Sequence, residues 1–280
     1  MKITFLGTAA SEGIPAVWCN CPICSAARLK GGRDIRTRCQ VMIDDCLLVD
    51  FPMDTYMHAL TNGLDLSKIE AVLITHSHMD HFYPREFMLH GFPYAYDMTR
   101  KSVYLYGNST VIAAYERDVM AKMNEDVKTS VYANALHAFD CVVTESGYTV
   151  TPLPAKHTVG EECLLYAIER DGKSALILND TGMLPIFTYE KAASLGLKFD
   201  LVSFDCTYGG EFKDENNRHM GLPNAISERK KMQKCGILKE NAKFVVTHFS
   251  HNGKLNYDEL CKRAEPENFI VAYDGMVVEI

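Results

Sequence analysis

Three histidines and one aspartate lie within six consecutive positions, at His76, His78, Asp80 and His81. They directly follow the apolar run 71–74, which has the composition of a buried strand. Ionisable side chains grouped in this way are costly to bury unless they share a positive charge. A metal ion supplies that charge, and imidazole and carboxylate groups are common metal ligands. The pattern HxHxDH therefore predicts a metal site on a loop that leaves a buried strand.

Further donors are expected wherever other strands end, because one HxHxDH run cannot complete a site for two metal ions. His157, Asp180 and His248 each follow an apolar run in the same way. Loops at strand ends gather at one edge of a sheet, so these donors can converge on HxHxDH. The combined set holds five histidines and two aspartates and predicts a dinuclear centre. By coordination chemistry alone, it suits manganese, zinc or iron.

A second cluster of metal-ligand type lies near the N-terminus, where Cys19, Cys21 and Cys24 fall within six residues. Three thiolates at this spacing can surround a tetrahedral zinc ion and leave one position for another ligand. Candidates for that ligand are His251, Cys39 and Cys46. We therefore predict a zinc-binding loop at about residues 18–25.

Composition narrows the class of protein. The chain has 280 residues, of which 47% are hydrophobic, enough for one large domain over 1–280. Its formal net charge of −7 provides no general attraction for nucleic acid or anionic membranes, so neither is expected as a partner. Because the N-terminal apolar run is too short for a signal peptide and no apolar run reaches membrane-spanning length, we expect a cytoplasmic protein.

Short apolar runs alternate with helical patterns along the whole chain. The predicted strands are 3–6, 41–43, 46–49, 71–74, 103–106, 148–153, 163–168, 175–178, 201–204, 244–246, 270–272 and 277–280. The predicted helices are 54–62, 109–123, 223–235 and 257–264. Hairpin turns are predicted at 44–45, 171–172 and 274–275. This order favours an α/β fold with two mixed sheets and outer helices.

The donor set resembles that of the metallo-β-lactamase superfamily, over almost the whole chain. The resemblance implies a four-layer αββα sandwich with the metals at one edge of the paired sheets. It assigns His76, His78 and His157 to one metal. It assigns Asp80, His81 and His248 to the other, with Asp180 bridging. Asp50, at the end of a strand, matches an acidic position that orients a ligand imidazole from behind.

Within the superfamily, residues 5–15 and the cysteine loop resemble the PhnP phosphodiesterases, which cleave cyclic phosphates of ribose and accept other phosphodiesters. This resemblance implies a structural zinc held by the three cysteines and His251, three residues after His248. It also implies that His219 serves the leaving group or the phosphate. The resemblance favours manganese or zinc at the two metal positions of the active site. It also implies a homodimer.

The expected activity is hydrolysis of small, cyclic phosphodiesters by a hydroxide held between two metals, with Asp80 orienting as well as ligating and His219 donating a proton. A first alternative is a ribonuclease of the tRNA 3′-processing type, which shares HxHxDH. The acidic balance and the cysteine loop disfavour it. A second is an accessory protein of the PqqB type, which shares the cysteine loop. The complete donor set disfavours it.

Two further segments have more than one interpretation. Arg33, Arg36 and Arg38 could bind phosphate oxygens, but a solvated turn is the favoured reading. The aromatic residues between Phe82 and Tyr96 could wall the pocket or pack against a helix.

Overall fold

Two β-sheets form the centre of the molecule. The computed structural model describes residues 1–123 and 125–280, and within these residues each sheet has seven strands. Three antiparallel pairings are followed by three parallel pairings in each sheet, so both sheets are mixed. The parallel strands matter most for function, because their carboxyl ends collect the loops of one edge.

The first sheet has the order β14-β1-β2-β3-β4-β5-β6. Its strands are β1 Lys2–Gly7, β2 Gln40–Ile43, β3 Leu47–Val49, β4 Ala71–Leu73, β5 Val103–Gly107, β6 Val131–Ala135 and β14 Met276–Glu279.

The second sheet has the order β13-β12-β11-β10-β9-β8-β7. Its strands are β7 Val142–Val143, β8 Thr149–Pro154, β9 Leu164–Arg170, β10 Lys173–Leu178, β11 Phe199–Asp205, β12 Leu238–Thr247 and β13 Phe269–Val271.

Helices cover the outer faces of both sheets. They are α1 Pro22–Lys30, α2 Thr55–Asn62, α3 Ser109–Tyr115, α4 Glu125–Lys128, α5 Ile186–Ser194, α6 Leu222–Lys234 and α7 Tyr257–Ala264. Helices α2 and α3 contact the first sheet, whereas α5, α6 and α7 contact the second. Within the described residues, no helix combines the length and apolar character needed to cross a membrane.

Buried side chains of the two sheets meet in one large apolar core. Ile3 and Phe5 of β1 belong to the same cluster as Leu165 of β9 and Leu176 of β10. A second cluster lies outside the first sheet, where Tyr115 and other residues of α3 pack. Successive side chains of a strand point to opposite faces of the sheet, so the continuous apolar runs of the first sheet contribute to both clusters. The predicted α/β sandwich of two mixed sheets with outer helices is confirmed.

Each predicted strand overlaps an observed one, and the helices predicted at 54–62, 223–235 and 257–264 are confirmed with shifts of at most one residue at either end. The helix predicted over 109–123 is α-helical only through Tyr115 and continues as a π-helical turn, Glu116–Met120. Strands β6 and β7 and helices α1, α4 and α5 were not predicted.

The Asp-Gly turn at 274–275 was wrongly predicted as a hairpin. It joins β13 of one sheet to β14 of the other. The Asp274 carboxylate accepts hydrogen bonds from Thr8 Oγ1 at 2.7 Å and from the Thr37 backbone N–H at 2.6 Å. Residues 274–275 therefore do form a tight turn, but this turn connects the two sheets and does not close a hairpin within one. The hairpins at 44–45 and 171–172 are confirmed.

Candidate active site and metal centres

The predicted donors gather at one edge of the two sheets. HxHxDH follows β4, His157 lies just beyond β8, Asp180 just beyond β10 and His248 directly after β12. The two sheets are tied together here, because the Tyr166 hydroxyl of β9 donates to the Ile74 carbonyl at 2.7 Å. This hydrogen bond helps to hold the donors of one sheet in position relative to those of the other.

Three residues of this edge have left-handed backbone conformations. The φ angles are 66° at Asp50, 58° at Asp180 and 60° at His248. Such angles are uncommon for residues with a side chain and persist only where the surroundings hold them. Each residue comes within two positions of a strand end, so the sharp turn aims its side chain across the edge of the sheets.

The first candidate metal group comprises His76, His78, His157 and Asp180, whose ligand atoms all lie within 4.8 Å of one another. His78 Nδ1 is 3.0 Å from His76 Nε2 and 3.2 Å from His157 Nε2. Asp180 Oδ2 is 3.3 Å from His76 Nε2. Burial lowers the pKa of His157 to about 3, which keeps its imidazole neutral, as a metal ligand requires.

The second candidate metal group comprises Asp80, His81, His248 and, again, Asp180. His81 Nε2 lies 3.3 Å from Asp80 Oδ2, 3.2 Å from Asp180 Oδ2 and 3.3 Å from His248 Nε2. All four residues are buried. Because Asp180 belongs to both groups, the arrangement matches the bridging position that the family resemblance implies.

These residues fit divalent metal ions on two observations. First, His157 Nδ1 is buried 3.1 Å from Asp180 Oδ1, yet within the described residues this nitrogen makes no hydrogen bond of ordinary geometry. Second, burial acts to lower the pKa of His81, but Asp50 and Asp80 outweigh it and raise this pKa well above its usual value. The buried carboxylates are therefore stable only with positive charge close by, which metal ions provide.

Asp50 lies behind His81, where the resemblance placed it. Its Oδ2 is 2.7 Å from His81 Nδ1, and its Oδ1 accepts hydrogen bonds from the N–H and the hydroxyl of Thr75. The carboxylate is fully buried. A carboxylate held in this way fixes the orientation and tautomer of a ligand imidazole.

Asp205 orients the His248 imidazole as Asp50 orients that of His81. This role was not predicted from the sequence. Asp205 Oδ2 lies 3.3 Å from Nδ1 of both His248 and His219. Its Oδ1 accepts the backbone N–H groups of Thr207 and Met220. Asp205 ends strand β11. The strand-then-donor pattern could have identified it.

Glu161 is a second missed residue. It accepts hydrogen bonds from the Ser77 backbone N–H and hydroxyl, both at 2.8 Å, and from Asn108 Nδ2 at 2.9 Å. These contacts hold the loop between His76 and His78. The sequence carries no local signal for this role, since Glu161 lies far along the chain in a turn before β9.

His219 lies at the edge of the centre, where a group serving the substrate is expected. Its Nδ1 is 2.9 Å from Asp180 Oδ1, and its side chain is 25% exposed. Burial acts to lower its pKa, but the contacts with Asp180 and Asp205 raise it to about 11. These carboxylates therefore favour the protonated imidazole, which stays partly exposed to solvent. The same contacts place it in a further group of possible ligand atoms with Asp180, Asp205 and His248.

A cleft of about 410 Å³ opens over these residues. Its lining comprises Ala10, Ser11, Glu12, His78, Met79, Asp80, His157, Asp180, Thr207, Tyr208, His219, His248, Ser250 and Asn252. Both candidate metal groups and His219 thus face one solvent-accessible space, as a catalytic centre must.

The cysteine cluster is completed by His251. Its Nδ1 is 3.5 Å from Cys21 Sγ and 3.3 Å from Cys24 Sγ, and Cys19 joins the same group. The Cys24 N–H contacts Cys21 Sγ and lowers the pKa of that thiol to about 6, against the effect of burial. A thiolate is the metal-binding form. Three thiols and one imidazole suit tetrahedral zinc.

The other two candidates for the fourth ligand lie elsewhere. Cys39 Sγ is buried 3.8 Å from Thr247 Oγ1, and Cys46 Sγ contacts Glu70 and Ser146. The segment predicted as a loop is helical from Pro22 onwards, because Cys21 caps α1 and Pro22 opens it. The helix therefore presents Cys24 to the cluster from its first turn.

The three arginines stabilise the fold and do not line the cleft within the described residues. Arg36 is buried over the Phe249 ring and donates to Thr8 and to a backbone carbonyl, so the solvated-turn interpretation is wrong for it. Arg38 pairs with Asp54, and Arg33 lies over the Tyr273 ring.

The aromatic residues between Phe82 and Tyr96 divide into two sets. Phe82 and Phe87 are buried in the outer core, where Phe87 packs against Tyr115 of α3. Tyr94 and Tyr96 are exposed. None of the set appears in the described lining of the cleft, so helix packing accounts for its buried part.

A family model described as the beta-lactamase superfamily domain matches residues 47–249. The chain belongs to the metallo-β-lactamase superfamily. The match includes every His and Asp of the two active-site groups. Membership supports a metal-binding hydrolase.

Solved structures place this metallo-β-lactamase-fold chain near the PhnP branch. A diphosphatase from the PhnP family aligns over 100% of this chain and 97% of its own, with 25% identity and a TM-score of 0.75. Zn²⁺-bound PqqB from Methylobacterium extorquens aligns over 100% of both chains, with 18% identity and a TM-score of 0.75. The short form of human tRNase Z aligns over 100% and 99%, with 18% identity and a TM-score of 0.69.

Curated relatives match over shorter stretches. Coenzyme PQQ synthesis protein B from Methylobacterium radiotolerans is 34% identical over 113 residues, which are 36% of this chain and 38% of that protein. An octanoyltransferase from Porphyromonas gingivalis is 36% identical over 85 residues, 29% of this chain and 16% of that protein. This metallo-β-lactamase-fold chain therefore spans well under half the length of either relative.

Proposed function

We propose that the protein is a metal-dependent phosphodiesterase that hydrolyses small, cyclic phosphodiesters. The observation that carries the proposal is the sharing of Asp180 by two ligand groups at the floor of one cleft, with His219 2.9 Å from that carboxylate. Two divalent ions bound side by side supply an activated water at neutral pH and neutralise phosphoryl oxygens.

The protein's own residues supply orientation and a proton. His219 is the donor to the departing alkoxide, because it lines the cleft and the adjacent Asp205 carboxylate favours its protonated form. Asp205 positions His219 and His248 together, so acid and metal ligand are held in one geometry. Asp80 faces the cleft as well as its metal group and orients the attacking water.

The size and charge of the site favour a small substrate. A cleft of about 410 Å³ holds one drug-sized molecule. With a formal net charge of −7, the chain does not attract polyanions in general. These features favour cyclic phosphodiesters over precursor tRNA. We further propose manganese or zinc at the active pair, zinc at the cysteine cluster, a homodimer and a cytoplasmic location.

The test is a turnover panel on protein loaded with manganese or with zinc. It contains bis-p-nitrophenyl phosphate, a 2′,3′-cyclic nucleotide and a precursor tRNA. We expect both small diesters to be cleaved and the precursor tRNA to remain intact. Efficient tRNA 3′-processing with no cleavage of small diesters would overturn the proposal in favour of the ribonuclease.

A second candidate is an accessory role like that of the PqqB-type proteins, which the local 34% identity favours. The turnover panel separates the two. Full metal loading with no cleavage of any diester would support the accessory role, whereas cleavage that is lost on chelation supports the phosphodiesterase.

A further inference from the structure

The two active-site metal groups differ in how far the fold encloses them. All four residues of the second group are buried. In the first group, by contrast, His157 is half-buried and His78 is exposed. An exposed imidazole has more conformational freedom to lose when it binds a metal ion, unless other groups already fix it. His78 is therefore the ligand that most needs restraint from residues outside its metal group.

Thr158 contacts the edge of the His78 ring that points away from the other donors. His78 Nδ1 faces His76 and His157, whereas His78 Nε2 lies 3.2 Å from Thr158 Oγ1. An imidazole that binds a metal ion through Nδ1 carries its proton on Nε2, so the Thr158 hydroxyl oxygen accepts a hydrogen bond from that nitrogen. A partner at this position fixes both the tautomer and the orientation of a ligand ring.

Glu161 restrains the backbone next to the same ligand. Its Oε1 accepts the backbone N–H of Ser77 and its Oε2 accepts the Ser77 hydroxyl, each at 2.8 Å. Oε1 also accepts from Asn108 Nδ2, and the Asn108 side chain caps helix α3. Ser77 stands between the two ligands His76 and His78. The Glu161 carboxylate therefore fixes the point from which both imidazoles project.

The turn that carries Thr158 and Glu161 is itself fastened to the HxHxDH loop. Leu164, which begins β9, donates its backbone N–H to the carbonyl of Thr75 at 2.8 Å. The turn belongs to the second sheet, whereas the HxHxDH loop leaves the first. Residues 157–161 therefore provide one metal ligand and two polar groups that hold a loop of the opposite sheet.

We propose that Thr158 and Glu161 are positioning residues that set the metal affinity of the first group, and with it the occupancy of the dinuclear centre. This role rests on the dinuclear centre of the proposed function. Within the described residues, neither side chain hydrogen-bonds a member of the second group, whose imidazoles are held by Asp50 and Asp205. Loss of either positioning residue must therefore weaken one metal position and spare the other.

The test measures the dissociation constants of both active-site ions by competition with a chelator, with Mn²⁺ as the probe and zinc kept at the cysteine cluster. Thr158→Val removes the hydroxyl with little change of shape, and Glu161→Ala removes both carboxylate oxygens. We expect each to weaken one of the two ions about 10- to 100-fold and to change the other less than about twofold. Thr158→Ser keeps the hydroxyl and should bind both ions as the wild type does.

Glu162→Ala is the matched control, because it changes the next carboxylate of the same turn. Glu162 pairs with His137 and not with the HxHxDH loop. We expect both dissociation constants to stay at their wild-type values. The melting temperature of the metal-free protein is measured for every variant, since a merely structural role would lower it and would weaken both ions together.

A double-mutant cycle shows whether Thr158 acts through His78. His78→Asn keeps a ligand atom near the position of Nδ1 but has no counterpart of Nε2. In this background, Thr158→Val should cause no further loss of affinity, because the group that Thr158 holds is absent. A further loss equal to that in the wild-type background would contradict positioning through this imidazole.

Unchanged affinities in both Thr158→Val and Glu161→Ala would overturn the proposed role. Equal weakening of both ions, with a lower melting temperature of the metal-free protein, would also overturn it. Selective weakening of one ion, in a protein that cleaves neither bis-p-nitrophenyl phosphate nor a cyclic nucleotide, would support the positioning role and overturn the proposed phosphodiesterase.

Discussion

The His/Asp centre and the cysteine cluster hold their donors in opposite ways. The His/Asp donors come from loops after four strands of both sheets and line an open cleft. Three donors of the cysteine cluster fall within six residues, joined by His251, and none of the four lines the described cleft. A catalytic metal site keeps a position open for substrate, whereas a structural one is closed by protein ligands. We therefore propose that the His/Asp centre serves the reaction and that the cysteine cluster stabilises the fold.

The two clusters are nevertheless connected. His248 and His251 lie three residues apart, and the Ser250 hydroxyl between them donates to Glu12. The short turn His251–Gly253 begins three residues after the left-handed residue His248. A cysteine cluster that anchors His251 therefore also restrains the segment that leads away from the active-site residue His248.

Asp180→Ala is expected to have the largest effect, because it removes the carboxylate common to both active-site groups. We expect activity on bis-p-nitrophenyl phosphate to fall at least about 10⁴-fold, since the metals depress the pKa of water by many units. Metal analysis should show loss from the His/Asp centre with zinc retained by the cysteines. Loss of all metals together would contradict the proposal that the two clusters bind their metals separately.

His219→Ala separates proton donation from metal binding. Loss of a general acid costs about 10²- to 10⁴-fold in rate, so kcat should fall by this factor while metal content and melting temperature stay unchanged. His137→Ala, at an exposed histidine paired with Glu162, is the control. Full activity of His219→Ala with intact metal content would remove the role of His219.

Asp205→Asn and Asp50→Asn compare the two carboxylates behind the metal ligands. Mutation of such a partner costs about 10- to 100-fold in affinity or activity. Asp205 contacts both His248 and His219, whereas Asp50 contacts His81. We therefore expect the larger loss of kcat in Asp205→Asn, measured at saturating metal. The reverse order would mean that Asp205 does not position the acid.

Cys24→Ser is expected to have the smallest effect on the reaction. It removes a buried thiol of the cysteine cluster, so we expect loss of one zinc per chain and a fall in melting temperature of about 5–10 °C. Turnover at low temperature should change only a few-fold. Cys141→Ser, at an exposed cysteine, is the matched control. A loss of activity as large as that of His219→Ala would assign the cluster to the reaction itself.

The sequence predicted the strands well, and the structure brings the candidate donors together, because both sets of residues follow from local patterns. Buried strands carry continuous apolar runs, and His76, His157, Asp180 and His248 each lie within three residues of the end of one. Strand β6 was missed because it is an edge strand with mostly exposed or half-buried residues, and β7 has only two residues. Helix α1 was missed because its cysteines and proline are typical of a metal loop.

Other features depend on contacts between distant parts of the chain. Glu161 holds Ser77 from 84 positions away, and Glu12 meets Ser250 from 238 positions away. The Asp274 turn is chemically a tight turn, but only the packing of two sheets decides that it crosses between them. Local patterns thus indicate the candidate metal ligands, whereas tertiary structure shows which residues hold those ligands in place.

The most direct test of the account is metal analysis of the purified protein, combined with turnover of a cyclic phosphodiester. The account predicts three metal ions per chain: two at the His/Asp centre, whose removal abolishes turnover, and one zinc that only Cys24→Ser removes selectively. One metal ion per chain, with turnover intact, would contradict it.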